Sequence, residues 1–292
     1  MIKSEHVFND NIKLAVRQDG FRVYILTNLV DKRSLQQVNS TDIKVASIKD
    51  RFDFKLLSEL TKIEMLTFMD ITMTDIDVER LLKLTELKRL VLVDCIIPGS
   101  VNLNSFHKLE ELDLNWKSTY HFTDPCTLKD LVLRKLNTDD LSFLNCKSLE
   151  TLEVIQGKLA SLNGIGKLQN LKALTLLNLA KVSDLHSICL LHNIEYLHLR
   201  GLKSKIDSRL IMDLRHLKWL VLENSDFSMP FDTLLEHQSL RGVIISKRGK
   251  LTGIEKRIMS TFSDTKYGYF RSDNVRDRLT ILFQSTDVVS KN

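Results

Sequence analysis

The sequence predicts an α/β solenoid in which a parallel β-sheet lines one face and short helices or turns line the other. A Leu-x-x-Leu-x-Leu pattern recurs every 19 to 24 residues between Ile63 and Ile245. A fixed period in this range is typical of repeats that stack along one axis. All 27 positions sampled by nine copies are apolar, although the whole chain is only 43% hydrophobic. Within each copy, Leu-x-Leu has the period of two that a strand with one buried face requires.

Nine strands follow directly from the nine copies. Residues 21–26 and 42–46 alternate in the same way about one period apart, which raises the prediction to eleven strands. The six clearest copies are Leu87/Leu90/Leu92, Leu109/Leu112/Leu114, Leu149/Leu152/Val154, Leu171/Leu174/Leu176, Ile194/Leu197/Leu199 and Leu217/Leu220/Leu222. The three weaker copies are Ile63/Leu66/Phe68, Leu128/Leu131/Leu133 and Leu240/Val243/Ile245.

The pattern resembles the leucine-rich repeat family over residues 60–246. Within the family it is similar to the subclass with repeats of about 22 residues, found in phosphatase-regulator-like and bacterial proteins. The resemblance implies a horseshoe or arc whose parallel sheet forms the concave face and whose short helices or turns form the convex face. It also implies that the protein works by binding another protein.

One departure from the family lies three residues after the last strand leucine, where Asn or Cys usually bonds the backbone of the turn. Buried turn amides still need partners. Water, nearby polar residues such as Asn178 and Asn224, or apolar substitution of the whole turn could replace the missing side chains. The residues found at this position are Ile71, Cys95, Lys117, Leu136, Gly157, Leu179, Leu202, Ser225 and Arg248.

We expect three segments in one elongated domain. Residues 1–40 form an N-terminal cap with a first irregular repeat, residues 41–250 form the repeat array, and residues 251–292 form a C-terminal cap. A cap is needed because the last coil of a solenoid exposes its apolar core. The apolar residues Ile254, Ile258, Met259 and Phe262 have helical spacing, and residues 279–283 could add a strand.

The C-terminal segment also carries the positive charge. Residues 247–292 hold ten Lys and Arg against five Asp and Glu, which leaves 32 of each sign in the rest of the chain. Basic residues beside aromatic ones can bind nucleic acid. Here the basic residues are interleaved with acidic ones, which favours the cap.

Several classes of protein are disfavoured by the sequence. No apolar run approaches the roughly 18 residues of a membrane span, and the first residues lack the apolar core of a signal peptide. We therefore expect a cytoplasmic monomer.

The four cysteines have no paired spacing and are interpreted as reduced thiols. Motifs for catalysis, metal or cofactor binding are missing, and Gly164-Ile-Gly166 is expected in a connecting loop. Asp139-Asp140 and Ser183-Asp184 are interpreted as caps of short helical turns.

The strand register also predicts which side chains form the concave face. Side chains alternate between the faces of a strand, so the residues that alternate with the buried leucines point away from the core. Two clusters result. The first is acidic and comprises Glu111, Asp113, Asp130 and Glu153, beside Arg134. The second is rich in aromatic residues and comprises Tyr196, His198, Arg200, Trp219, Val221 and Glu223, flanked by Leu177 and Ile244.

Both clusters are candidate contacts for a protein partner. Tyr, Trp and Arg are enriched at binding hot spots, whereas lateral packing across the sheet could also explain the aromatic residues. The acidic cluster could receive a basic segment or could be a solvated face with local ion pairs. The sequence thus favours a non-enzymatic interaction module without a cofactor. An inhibitor or immunity-type protein, a regulator of an enzyme, and a nucleic-acid binder acting through residues 247–292 stay open.

Overall fold

The computed structural model describes the chain in segments and divides it into two compact units. The units are residues 1–134 and 135–292. The residues described are 2–9, 12–17, 22–26, 31–39, 45–49, 52–99, 101–118, 120–121, 126–224, 232–246, 268–271 and 278–282.

The first unit is built on parallel strands that follow an antiparallel hairpin. Strand β1 pairs with β2, and β2 pairs with β3, both antiparallel. From β3 onward, six strands pair in parallel through β4, β5, β6, β8 and β10. The short strands β7 and β9 pair separately. The bounds are β1 Ile2–Asn9, β2 Ile12–Arg17, β3 Arg22–Leu26, α1 Lys32–Asn39, β4 Val45–Lys49, the 3₁₀ helix η1 Phe54–Glu59, β5 Met65–Met69, α2 Asp75–Leu81, β6 Arg89–Val93, β7 Val101–Asn102, η2 Leu103–Ser105, β8 Glu111–Asn115, β9 Tyr120–His121 and β10 Asp130–Leu136.

The second unit repeats the arrangement with five parallel strands, β11 to β15. Strand β17 pairs antiparallel with β15, and β16 pairs antiparallel with β17. The bounds are β11 Thr151–Gly157, η3 Ile165–Lys167, β12 Ala173–Leu177, η4 His186–Leu190, β13 Tyr196–Arg200, α3 Ser208–Met212, β14 Trp219–Glu223, α4 Asp232–Leu235, β15 Gly242–Ser246, β16 Gly268–Arg271 and β17 Arg278–Leu282.

The predicted α/β solenoid is confirmed, and each of the eleven strands that the spacing predicts has a counterpart among the described strands. The upstream strand expected at 42–46 lies slightly later, at Val45–Lys49. At the C-terminal end, the strand expected at 279–283 is present as β17. The helix expected over residues 254–262 lies outside the described residues. The longest described helix, α1, has eight residues, far short of the roughly 20 needed to span a bilayer.

The strand leucines form the core of each unit. In the second unit, Leu152, Leu174, Leu197 and Leu220 are all 0% exposed. Each of them sits opposite its counterpart in the next parallel strand. Truncating a fully buried leucine to alanine typically lowers the free energy of unfolding by 2–5 kcal/mol. Because a shifted register would expose these leucines, they determine the strand register.

In three turns, an apolar side chain occupies the position where the family usually has asparagine. Ile71, Leu136 and Leu179 occupy the asparagine position and are at most 2% exposed. Backbone amides then bond to the neighbouring turn: Asn178 N donates to Arg200 O at 2.7 Å and Gly201 N to Glu223 O at 2.8 Å. Apolar substitution, one of the three replacements that the sequence leaves open, is observed at these three positions.

Just before each strand, an alternating row of charges runs along the sheet edge. In the first unit the row reads Glu64, Lys88, Glu110, Lys129, and in the second it reads Glu150, Lys172, Glu195, Lys218. Each lysine bonds the glutamate of the preceding repeat, at 2.9, 3.1, 2.7 and 2.6 Å respectively. We call this row the charge ladder. If a strand paired with the strand two repeats away instead of with its neighbour, like charges would lie side by side. The ladder therefore favours the native order of the strands.

We expect Lys172→Glu to lower the melting temperature modestly at low salt, because the new carboxylate would lie between Glu150 and Glu195. Both glutamates act on Lys172 in the native protein and raise the pKa of its ammonium group, with the Glu150 hydrogen bond as the main cause. Calorimetric melts at low and high salt measure the effect, which screening should shrink. Lys181→Glu, at an exposed position off the ladder, is the control. Equal effects of the two changes would contradict a role for the ladder.

Candidate functional site

The aromatic cluster lies on the face of the second unit's sheet that is turned away from the leucine core. We call this the open sheet face. Parallel register places Tyr196 opposite Trp219, His198 opposite Val221, and Arg200 opposite Glu223. Leu177 lies opposite Arg200 in the preceding strand, and Ile244 lies opposite Val221 in the following one. The register predicted from the leucines therefore brings these residues together on adjacent strands.

Trp219 is the most exposed aromatic residue of the cluster, at 37%. Its indole lies against the backbone of Gly242, where an added Cβ would come within 2.2 Å of Trp219 Cζ3. Gly242 thus provides the space that the indole occupies. A large aromatic surface is held in one place by neighbouring backbone while more than a third of it faces solvent.

Tyr196 is half-buried beside this indole. Burial raises the pKa of its phenol, and the charges of Glu223 and Glu153 raise it further. Its ring also meets the His198 ring edge-on, with centroids 6.4 Å apart. The phenol of Tyr196 is therefore uncharged at neutral pH. Its ring packs against the His198 ring.

The polar members of the cluster form a network centred on Glu223. His198 Nε2 lies 3.1 Å from Glu223 Oε2, and Arg200 Nη1 lies 4.0 Å from the same oxygen. Arg200 is the more exposed of the two residues beside Glu223, with 43% of its side chain accessible against 17% for His198. Its guanidinium can accordingly donate further hydrogen bonds to an incoming carboxylate or carbonyl group.

One predicted contact residue, Val221, is less exposed than expected. Val221 lies opposite His198 in β13 and Ile244 in β15 and is only 7% exposed, so it offers little surface for direct contact. Ile244 occupies the predicted place in β15, but its side chain is outside those described.

The acidic cluster is largely compensated within the first unit. Asp113 accepts a bidentate pair from Arg134, with Nε to Oδ1 at 2.6 Å and Nη2 to Oδ2 at 2.8 Å. Glu111 pairs with Arg89 at 3.0 Å. Asp130 lies opposite Glu111 in the adjacent strand. These contacts support the interpretation of a solvated face with local ion pairs over that of an acidic recess.

The fourth acidic residue, Glu153, belongs to the second unit. There it lies opposite Thr175 in β12, in the same row of the open sheet face as His198. Glu153 contributes negative charge near Tyr196, as its effect on the tyrosine pKa shows.

The interpretation of all four cysteines as reduced thiols is wrong at two positions. Cys126 and Cys146 are disulfide-bonded, whereas Cys95 and Cys189 are free. In a repeat protein no C-x-x-C spacing is needed for a disulfide, and Cys126 and Cys146 hold nearly equivalent places, five and six residues before the second strand leucine. Disulfides are typical of oxidising compartments, so these two residues count against the expected cytoplasmic location.

The free thiols are not activated. Burial raises the pKa of Cys95, and burial together with the Asp213 carboxylate raises that of Cys189 to about 11. The Cys189 Sγ donates to Asp213 Oδ2 at 3.7 Å. A nucleophilic cysteine requires the opposite shift, because the thiolate is the reactive form.

We expect Cys189 to be alkylated by iodoacetamide far more slowly at pH 8 than an ordinary thiol, with a rate that still rises above pH 10. A pKa raised by about two units lowers the thiolate fraction about a hundredfold below both values. Asp213→Asn removes the negative charge that raises the thiol pKa in addition to burial, and should accelerate the reaction at pH 8. Mass spectrometry of the Cys189 peptide measures both rates. A rate that levels off near pH 9 would contradict the shift.

Other polar positions act as the sequence predicts. Asp140 accepts from Ser142 N at 2.9 Å, and Asp184 accepts from His186 N at 2.8 Å, so both cap short turns. Gly164 lies in a turn with a φ of 92°, packed against Ser142. Within the described segments, no group of three His, Cys, Asp or Glu is arranged to hold a metal ion.

The comparisons with known proteins concern the fold. No protein-family model matches the chain, and no curated protein matches it. A crystal structure of an internalin, inlF of Listeria monocytogenes, is similar, with a TM-score of 0.51 and 15% identity over 76% of this chain and 72% of the internalin. The TLR13–ssRNA13 complex gives a TM-score of 0.54 and 17% identity, over 75% of this chain and 35% of TLR13.

A leucine-rich repeat protein of Leptospira interrogans also matches, with 21% identity, a TM-score of 0.44, and coverage of 76% of this chain and 52% of that one. Identities this low bear on the fold and on nothing else. The fold agrees with the repeats of the sequence and with the parallel sheets of the two units. The chain therefore has the leucine-rich repeat fold, as its repeats predict.

Proposed function

We propose that the chain is a non-enzymatic module that binds a protein partner on the open sheet face of its second unit, the face that the sequence predicts to be concave. The observation that carries this proposal is the aromatic pair Tyr196 and Trp219 on adjacent strands, with Trp219 held against Gly242 and 37% exposed. Rigid aromatic side chains that are partly exposed bury a large area on binding at little cost in conformational entropy.

The charges of this face favour a protein over a nucleic acid. Arg200 is a cation with solvent access, but Glu153 and Glu223 lie on the same face. Binding to a phosphate backbone requires an excess of Lys and Arg, because its affinity comes largely from neutralised phosphates. One of the similar structures, TLR13, is in complex with ssRNA13. The mixed charge on the present surface instead suits hydrogen bonds and ion pairs with a protein.

Quantitative affinity capture tests the proposal. Three chains are immobilised: the wild type, the Tyr196→Ala/Trp219→Ala variant and a Leu190→Ala control. Each is incubated with a lysate of the source cell, and the proteins that it retains are quantified by mass spectrometry. Leu190 is 52% exposed and packs against Gly166 in the helical layer, away from the open sheet face. We expect a partner that the wild type and the control retain and the double variant loses. Equal retention by all three would refute the proposed surface.

A further inference from the structure

A buried histidine lies in the turn that leads from α4 to β15 of the second unit. His237 is 8% exposed, and in the described part of the chain no other Asp, Glu, Lys, Arg or His is buried. Its Nε2 atom lies 3.1 Å from the carbonyl oxygens of both Ile211 and Leu214, at the end of α3. A carbonyl oxygen can only accept a hydrogen bond, so Nε2 carries a proton and donates to both. The imidazole therefore caps the end of α3 from the next repeat.

The other ring nitrogen, Nδ1, faces a hydroxyl group that is already in use. Nδ1 lies 3.5 Å from Ser239 Oγ, and this hydroxyl donates to Leu217 O at 2.9 Å. The neutral ring, with its proton on Nε2 and a lone pair on Nδ1, thus satisfies the carbonyl groups around it. A protonated ring would direct a second N–H group toward an oxygen at the outer limit of hydrogen-bond distance.

The described charges do not compensate an imidazolium at this place. Burial lowers the pKa of His237, the hydrogen bonds to the carbonyl groups offset this only in part, and no charged side chain contributes. Lys218, before β14, is paired with Glu195 at 2.6 Å. The other described charged side chains on the surrounding elements are all exposed, and they are Arg209 in α3, Asp213, Arg215 and His216 in the turn after it, Glu236 after α4 and Arg241 before β15.

We propose that His237 makes the repeat formed by α4 and β15 sensitive to acid, and that protonation of this ring withdraws the support of Trp219. A buried cation without a counter-charge is stable only when hydrated, so the turn that holds His237 must open. This turn is tied to β14 through Lys218 O, which accepts from Arg241 N at 2.8 Å and from Gly242 N at 3.2 Å. Loss of these bonds moves Gly242 away from the indole that lies against it.

Acid would thereby loosen the aromatic pair and weaken partner binding. This regulation rests on the proposed function, since Trp219 belongs to the proposed binding surface. In the closed repeat the pKa of His237 lies below its ordinary value of about 6.5, to which it returns in the opened repeat. The closed repeat keeps its full stability above about pH 6.5 and loses stability as the pH falls from there to the lower pKa. Because one proton is taken up, the opening constant should rise by up to about tenfold per pH unit in this range.

Hydrogen exchange of the full chain at about pH 7.5 and about pH 5.5, on either side of the ordinary histidine pKa, measures the opening. After correction for the intrinsic exchange rates, we expect the protection of the Arg241 and Gly242 amides to fall by about threefold or more at the lower pH. The amides of Lys172 and Ala173, which donate to Glu150 O in the same way, should keep their protection.

Two histidine variants assign the effect. His237→Gln cannot take up a proton and should remove the pH dependence of exchange at residues 241 and 242. His192→Gln, at an exposed position of the same unit, should retain it. An NMR titration of the His237 ring in the wild type gives its pKa directly, whether or not His237→Gln folds.

Trp219 fluorescence, measured in a Trp116→Phe background, reports the loss of support. We expect a change over the same pH range as the change in exchange, and no such change in His237→Gln. His198 lies beside Tyr196 and can also bind a proton, so His198→Gln is included and should retain the change.

Three results would each overturn the regulation: a pKa of His237 at or above about 6.5 in the folded chain, protection at residues 241 and 242 that does not depend on pH, or unchanged Trp219 fluorescence. None of these measurements uses the partner. Failure of the proposed binding surface is therefore a separate result, seen only in affinity capture.

Discussion

Replacing Trp219 and Tyr196 together by alanine should weaken binding of the captured partner by about 3 kcal/mol or more, a loss of over a hundredfold in affinity. The double change removes the exposed part of Trp219 and the half-buried ring of Tyr196 from adjacent positions on β13 and β14. Hot-spot residues of these types commonly account for 2–4 kcal/mol each, although their effects are not additive.

The loss should be seen in the dissociation rate, because most mutations within an interface act on dissociation. Surface plasmon resonance with the purified partner gives both rate constants. The fold should survive, since neither side chain is part of the leucine core, and the circular-dichroism melt serves as the check. An affinity within threefold of wild type would show that the aromatic pair is not the hot spot.

Gly242→Ala offers a milder change at the same place. The new methyl group would occupy the space of the Trp219 ring, 2.2 Å from Cζ3. The indole must therefore rotate away from position 242, although Trp219 itself is not replaced. We expect weaker partner binding and a change in Trp219 fluorescence, measured in a Trp116→Phe background. Unchanged fluorescence would contradict the described packing of the indole on Gly242.

Gly157→Ala should destabilise the second unit by roughly 3 kcal/mol or more. Gly157 has a φ of 136° and its added Cβ would lie 2.0 Å from the carbonyl oxygen of Leu136. A side chain there is strained by the backbone conformation and also collides with backbone atoms that cannot move aside. The two effects act at one of the positions where the family usually has asparagine.

Urea unfolding of Gly157→Ala, followed by circular dichroism, measures this loss. Gly166→Ala is the matched control, because its φ is not in the left-handed region and its Cβ would meet only the flexible, half-exposed Leu190 side chain, at 2.9 Å. We expect a change of at most about 1 kcal/mol for the control. Similar midpoints for the two variants would contradict the close approach of the turns at Gly157.

The sequence predicts the fold well because burial imposes a strict periodicity on it. The leucines that are 0% exposed, such as Leu174 and Leu197, are the same residues that define the repeat, so the strand register follows from them. The places of Tyr196 opposite Trp219 and Arg200 opposite Glu223 were predictable for that reason. The hairpin β1–β2 was not, since residues 7–16 show only that apolar side chains are available.

Features that depend on pairs of repeats were predicted only in part. The sequence places Arg134 beside the acidic cluster and allows local ion pairs, but the bidentate pairing with Asp113 depends on side-chain conformations that a register alone does not give. The charge ladder had a sequence signal, the alternation of Glu and Lys two residues before the second strand leucine, which becomes apparent once the repeats are aligned. The disulfide-bonded Cys126 and Cys146 had a similar signal in their equivalent places within two repeats.

Site-specific photo-crosslinking tests the central claim most directly. A benzophenone amino acid replaces Tyr196 in one variant and Leu190 in another, and each is irradiated with the purified partner. Position 196 lies on the open sheet face, whereas position 190 lies at the end of the helical element η4. We predict a crosslinked product from position 196 and none from position 190. A product from position 190 alone would contradict binding on the open sheet face.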